Sequence, residues 1–423
     1  MSLARQLLSA CIGGLTLCTS LMALAAKPFP TATPEEVGLS APRLQRVDQF
    51  IERLQREHKL TGAVTLVARR GKLVSLQALG YADLESRRAM RVDDLFHLQS
   101  MTKPIATAVA LQLMEQGRLD LQDPVAKFLP EFVDMRVAVA RPDAPGGVDR
   151  VPVARQITVL DLLTHRAGFA GGLPPRDSPA ERLFREAQKT LPADDDFTLE
   201  QYVKHLATSP LDAQPGAAFR YGPATTVLGR VIEVVSGQSL DVAFRERVFK
   251  PLGMTDTFFA VPEAQRSHVV IPYVLKHGQG LTRLPLDPMN PRFLSAGGNL
   301  FGTATDYLRF CQMLLNGGEL DGTRVLSRQS VELMRATHVD ALPMPFLAGH
   351  SFGLGVAVRK ADGPAGLLGS PGTFGWSGGY NTYFRIDPAK QLVIALFTQL
   401  AFSPLELELQ TGFHNLAMQA IDD

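Results

Sequence analysis

The chain has 423 residues, 45% of them hydrophobic, and sets 43 basic against 42 acidic side chains for a formal net charge of +1. Near-neutrality argues against nucleic acid or an anionic membrane as a partner, because both select basic surfaces. A chain of this length can bury a large core and exceeds the usual size of one domain, so two interlocked lobes are expected.

Residues 1–25 carry one charge, Arg5, followed by an apolar run that ends in Ala23, Leu24 and Ala25. This reads as a secretory signal peptide cleaved after Ala25, which predicts export, to the periplasm of a bacterial cell. Leu8, Ser9, Ala10 and Cys11 resemble a lipoprotein box, but the apolar run before Cys11 is too short for lipid attachment. Cys11 and Cys18 would leave with the leader; only Cys311 then remains, and no internal disulfide is possible. Cys311 lies in an apolar helical pattern (Tyr307, Leu308, Phe310, Met313, Leu314, Leu315), where a buried, inert thiol is expected. No later segment approaches the roughly 18 continuous apolar residues of a membrane span.

Ser40 is placed to cap a helix whose apolar positions Leu44, Val47, Phe50, Ile51 and Leu54 follow helical spacing. Residues 63–68 and 73–80 are β-rich runs joined by Arg69, Arg70, Gly71 and Lys72, a hairpin. A helix over 104–116 must begin close to Ser100, because Pro104 is tolerated only near a first turn. The middle of the chain is helical, with candidates at 159–164, 179–189, 199–207, 225–236, 240–248 and 305–315. Irregular stretches at 141–155 and 267–291 are too long for simple connections and suit the walls of a cleft. Strands are expected at 352–358, 382–386 and 392–398, the last two turned into a hairpin by Pro388, Ala389 and Lys390. A final helix over 404–420 takes Ser403 as its N-cap.

Strands at both ends with few between them predict an α/β (α+β) fold: one antiparallel sheet built from both termini and flanked by helices, plus a mostly helical lobe. The expected division is 26–98 with 340–423 for the sheet lobe and 99–339 for the helical lobe with its cleft loops.

Of the eleven lysines, only Lys103 has a serine three positions before it. Ser100 and Lys103 would share one helix face, and such a pair can make a nucleophile. Ser100 also falls where unpaired backbone N–H groups gather, which favours developing negative charge. The plain alternative is a serine cap followed by a solvent-facing lysine. Against it, Ile105, Val109, Leu111, Leu113 and Met114 make the helix apolar on nearly all sides, leaving Lys103 little route to water.

A serine nucleophile needs a proton acceptor beyond lysine alone. His97 ends an apolar run and reads as a satisfied buried histidine; His165, alone at a helix end, reads as structural. Of the seven tyrosines, Tyr81, Tyr380 and Tyr383 fall on or beside strands, Tyr202 and Tyr307 within helical patterns, and Tyr273 in a long loop. Tyr221 follows the Pro215–Gly216 turn and precedes a helix, in the kind of loop where working residues concentrate. Spacing alone makes it only a modest favourite. No cluster has metal-ligand spacing, and neither a metal nor an organic cofactor is implied.

Three blocks, FHLQSMTKP at 96–104, ITVLDLLTHRAG at 157–168 and FRYGPATTVLG at 219–229, are similar to the serine β-lactamase and penicillin-binding-protein superfamily of class C type. The match looks closest to its esterase branch, the family VIII carboxylesterases. Further matching blocks are VFKPLGMTDT at 248–257, AGGNLFGTATDYLRF at 296–310 and FGWSGGYNTYFRIDP at 374–388. The resemblance implies that Ser100 is acylated, that Lys103 activates it and that Tyr221 relays the proton. It also implies an oxyanion hole from the N–H groups of Ser100 and Gly379, the latter on the strand after Trp376, Ser377 and Gly378, which form a substrate-binding edge.

Two departures bear on substrate. Penicillin-recognising members carry Asn two residues after the tyrosine, where this chain has Pro223. Their third motif opens with a cation, where this chain has its one tryptophan, Trp376, an apolar surface for an acyl or alcohol group or else a plain core aromatic. The run from Gly375 to Gly379 also satisfies GxSxG, but that motif needs a helix after the serine, and a strand is expected there. The expectation is a serine hydrolase acting on a small-molecule ester. The alternatives are a β-lactamase or D-alanyl-D-alanine carboxypeptidase acting on cell-wall peptides, a non-catalytic penicillin-binding-like module, and acyl transfer to an alcohol.

Overall fold

A computed structural model describes residues 27–143, 147–192, 196–344, 347–363 and 366–423. The expected leader at 1–25, with Cys11 and Cys18, lies outside the described residues.

Eight strands make one antiparallel sheet: β1 (Gly62–Arg69), β2 (Lys72–Asp83), β3 (Arg88–Ala89), β4 (His350–Phe352), β5 (Ala357–Arg359), β6 (Phe374–Ser377), β7 (Tyr383–Asp387) and β8 (Leu392–Phe397). Their order is β4-β5-β6-β7-β8-β1-β2-β3. The two ends of the chain meet where β1 pairs with β8, in register from Val64 opposite Phe397 to Arg69 opposite Leu392.

Because successive strand residues face opposite sides, β1 feeds two cores at once. Ala63 and Val67 pack with Leu44, Val47, Ile51 and Leu54 of α1 (Ala41–Arg56) and with Leu409 and Phe413 of α11 (Glu406–Met418). Val64, Leu66 and Ala68 face the opposite core. That core is filled by α2 (Thr102–Glu115), α3 (Val159–Leu163), α5 (Leu199–Ala207), α6 (Ala224–Ser236), α7 (Leu240–Phe244) and α9 (Ala304–Leu315), with α4 (Pro179–Gln188), α8 (Lys250–Leu252) and α10 (Arg328–Arg335) around them. Helix α2 is buried continuously from Thr102 through Leu113, as its all-round apolar pattern requires. Among the described residues no helix is long and apolar enough to cross a membrane.

Several expected elements differ in detail. Ser40 precedes α1 but makes no side-chain cap; Glu35 Oε1 accepts the Ala41 N–H instead, at 3.1 Å. The expected strand over 352–358 is two strands, β4 and β5, because the chain turns at Gly355 with φ +70°. Helix α11 starts at Glu406, since Ser403 is used one turn earlier: its Oγ accepts from Leu405 N–H at 3.1 Å and its carbonyl from Glu406 N–H at 3.0 Å. The stretch 141–155 is not all irregular, for Val148–Pro152 pairs with Arg136–Ala140. Within 267–291, Tyr273–Lys276 and Gly280–Arg283 form a hairpin, so Tyr273 is on a strand. The helix expected over 240–248 breaks into α7 and a π-turn, Arg245–Phe249. Helix α10 was not anticipated; it buries only Ser330, Val331 and Met334, too few apolar positions to show a period.

Candidate active site

The chain reaches Ser100 through a left-handed residue, Gln99 (φ +51°), and a single 3-10 turn, Gln99–Met101, that runs into α2. A non-glycine residue in that region stores strain, and its surroundings must hold it there. They do so through Thr102 Oγ1, which donates to Gln99 O at 2.7 Å, and Tyr307 of α9, whose hydroxyl donates to Met101 O at 2.8 Å.

Ser100 and Lys103 meet as their spacing predicts: Lys103 Nζ donates to Ser100 Oγ at 2.9 Å. The same nitrogen donates to Gly297 O at 2.6 Å and lies 4.8 Å from the centroid of the Tyr221 ring. Lys103 is 5% exposed. Among the described residues its partners are a hydroxyl, a carbonyl and a ring face rather than a carboxylate, so Nζ is oriented without being locked in an ion pair.

Tyr221 stands ahead of α6, paired to Leu173, whose N–H donates to Tyr221 O at 2.7 Å. Gly172 makes this approach possible, because a Cβ there would collide with Tyr221 O. The Tyr221 hydroxyl accepts from Trp376 Nε1 at 3.1 Å. Trp376 is 4% exposed and packs edge-on to Phe352, ring centroids 5.2 Å apart. The indole thus faces the tyrosine and the core.

Behind Tyr221 lies His165, its ring centroid 4.6 Å from that of the tyrosine. Burial, and then the charge of Lys103, push the His165 imidazole well below its usual range. Both of its ring nitrogens lack hydrogen-bond partners. It therefore serves as a neutral packing ring, as a histidine at a helix end was expected to.

Strand β6 ends at Ser377, and Gly378 to Thr382 form a tight turn closed by Gly378 N–H donating to Thr382 O at 2.7 Å. Gly379 is in that turn rather than on a strand, a correction to the expectation. Gly378 has no room for a Cβ, which would collide with Leu98 O and Thr382 Oγ1. The turn accordingly packs against the residues that lead into Ser100. Among the described residues, neither Ser100 nor Gly379 has a backbone acceptor for its N–H. The ring of Phe402, 64% exposed, lies beside Gly379 as an apolar neighbour. A strand, β7, follows the turn, so Ser377 lacks the strand-turn-helix setting that a GxSxG elbow requires. His414, the one histidine beyond it, is held by the Tyr383 hydroxyl at 2.8 Å and Leu368 O at 2.6 Å.

The sequence did not single out Asp287. Its Oδ2 accepts from His97 Nδ1 at 2.7 Å and from the Tyr380 hydroxyl at 2.6 Å. Burial raises this carboxyl, but the His97 and Tyr380 bonds outweigh it and leave the group below its usual range. His97 is buried and satisfied, as expected, with Nε2 2.8 Å from Gly298 O. The available signals were weak: Asp287 fell in a long loop, and Gly297 and Gly298 in the block at 296–310. Among the described residues no group of three or more His, Cys, Asp or Glu side chains forms a metal-ligand set.

Comparison with known proteins places this geometry in a family. The family model described as Beta-lactamase matches residues 47–417. Protein Rv1367c of Mycobacterium tuberculosis is 38% identical over 359 residues, covering 80% of this chain and 86% of its own. Esterase EstB of Burkholderia gladioli is 32% identical over 417 residues, covering 92% and 99%. Among solved structures, EstCE1, described as a hydrolase with promiscuous acyltransferase activity, superposes with a TM-score of 0.71 at 29% identity over 90% of this chain and 98% of its own.

Proposed function

The chain belongs to the Beta-lactamase family and is a serine hydrolase of that fold, and from this premise we propose that it cleaves carboxylic esters through an acyl-enzyme on Ser100. The observation that carries the reading is the 2.9 Å contact between Lys103 Nζ and Ser100 Oγ, made where, among the described residues, Lys103 has no carboxylate partner. Ser100 Oγ attacks the ester carbonyl while Lys103 and Tyr221 take its proton. The oxygen that becomes negative is met by the N–H groups of Ser100 and Gly379, both free of backbone acceptors. The pair returns the proton to the departing alcohol, then takes one from water, whose oxygen attacks the acyl carbon, and delivers it to Ser100 Oγ as the acid leaves.

Esters are favoured over β-lactams and peptides by what stands at two positions. Pro223, at the N-cap of α6, offers no side-chain amide to a substrate amide. At the position of the third-motif cation stands Trp376, whose one donor is spent on Tyr221. The exposed Phe402 ring beside Gly379 offers apolar surface to an acyl or alcohol group. The printed descriptions of EstB as an esterase and EstCE1 as a hydrolase point the same way.

The test pairs p-nitrophenyl butyrate with a cephalosporin and follows the intact mass after a brief ester pulse. We expect the ester to be strongly preferred and the acyl adduct to map to Ser100. Ser100→Ala should lower kcat by roughly 10^5-fold, while Ser377→Ala keeps most activity. A preference for the cephalosporin supports the β-lactamase reading instead, and an adduct on Ser377 overturns the assignment.

A further inference from the structure

We infer that His97, Asp287 and Tyr380 are positioning residues that hold the Gly379 turn in place against the Ser100 turn, setting the oxyanion geometry without touching the substrate. The inference rests on Ser100 being the nucleophile and Gly379 N–H an oxyanion donor.

Three segments far apart in sequence converge on one carboxylate. His97 and Asp287 are 190 positions apart, and Tyr380 and Asp287 are 93 apart. Each of the three adjoins the reacting groups. His97 lies three residues before Ser100; Tyr380 directly follows Gly379; and the loop after Asp287 supplies consecutive carbonyls, Gly297 O to Lys103 at 2.6 Å and Gly298 O to His97 at 2.8 Å. A hydrogen-bonded path thus runs from Lys103 through the Gly297–Gly298 turn, His97 and Asp287 to Tyr380.

The contacts are short, directional and partly charged, which fixes angles as well as distances. The His97 ring is itself stacked on Phe301 at 4.5 Å and meets Tyr380 edge-on at 5.7 Å, so it has little freedom to turn. Gln99, the left-handed residue between His97 and Ser100, has its side-chain amide beside the same imidazole, 3.2 Å from Nδ1. Apolar side chains could tie these loops together at lower desolvation cost. What a carboxylate with two donors adds is a fixed register between two backbone N–H groups. Oxyanion stabilisation depends on such a register, because donors must point at where charge develops.

The test uses the full chain with Asp287→Asn and, separately, Tyr380→Phe, which keeps the ring and the carboxylate and so reports even if the first variant folds poorly. Active serines are counted with a fluorophosphonate. Then kcat and KM for p-nitrophenyl butyrate, and inhibition by phenylboronic acid, are expressed per titrated serine. The boronate's tetrahedral adduct on serine places an oxygen in the hole. Expected are a fall in kcat of about 10-fold or more, KM within about twofold, and a boronate inhibition constant that rises in step with the loss of kcat/KM. A merely structural role reduces the number of titratable serines but leaves both quantities per serine unchanged, and that result overturns the inference. Failure of the unsubstituted chain to label at Ser100 removes the premise instead, and the two failures are thus distinguishable.

Discussion

Trp376 shows how one side chain can change an electrostatic site into a scaffold. It is buried against Phe352, and its indole N–H holds the Tyr221 hydroxyl at 3.1 Å. Trp376→Phe keeps ring packing and removes that donor, a loss of about 1 kcal/mol or roughly fivefold. We expect kcat to fall by about that factor with KM unchanged. A raised KM for long acyl esters with unchanged kcat would instead mark the indole as a substrate surface. Of the residues around the serine, Ser100, Lys103 and Tyr221 were legible in the chain: the first two by i,i+3 spacing, the third by its loop position and by resemblance. Asp287 was not, because a lone aspartate in a 25-residue irregular stretch carries no local signal.

At the scale of elements, the geometry depends on how closely the β6–β7 turn can lie against the Ser100 turn. Gly378 sets that distance, since a Cβ would meet Leu98 O and Thr382 Oγ1. Gly378→Ala should lower kcat by about tenfold or more and slow fluorophosphonate labelling of Ser100; unchanged labelling would show that the turn has slack. Long apolar or alternating elements, α2, β1, β2, β7 and β8, were readable because burial imposes a period on them. The short ones were not. Strands β4 and β5 have three residues each, and the hairpins inside 141–155 and 267–291 are set by pairing rather than by a pattern. The place of Gly379, in a turn rather than on a strand, belongs with these.

For the whole molecule, closure of the sheet by its two ends sets both stability and site. Arg69, buried beside the last residue, pairs with Asp423 at 2.6 Å and donates to Val37 O at 2.8 Å, tying the chain's end to its first helices. Three of the four buried histidines among the described residues give the fold a pH limit. Burial lowers His165 well below its usual range, and burial first, then neighbouring groups, brings His350 and His414 to about 4. Unfolded imidazoles take up protons near pH 6.5 that these folded ones refuse. Their stabilisation is therefore complete above about 6.5 and falls as pH drops toward 4, by up to about 3 kcal/mol for each of the latter two. Melting at constant ionic strength should show Tm falling by at least about 3 °C from pH 6.5 to 4.5; a flat profile in that window refutes it. By itself the sequence determined that Ser100 and Lys103 would meet, the main helices and hairpins, and a sheet built from both ends, because helix spacing and strand alternation are local geometry. Only the tertiary structure decided that Trp376 serves Tyr221, 155 positions away, and that Asp287 joins His97 to Tyr380. Contacts of that separation are fixed by how the elements pack, which no local pattern records.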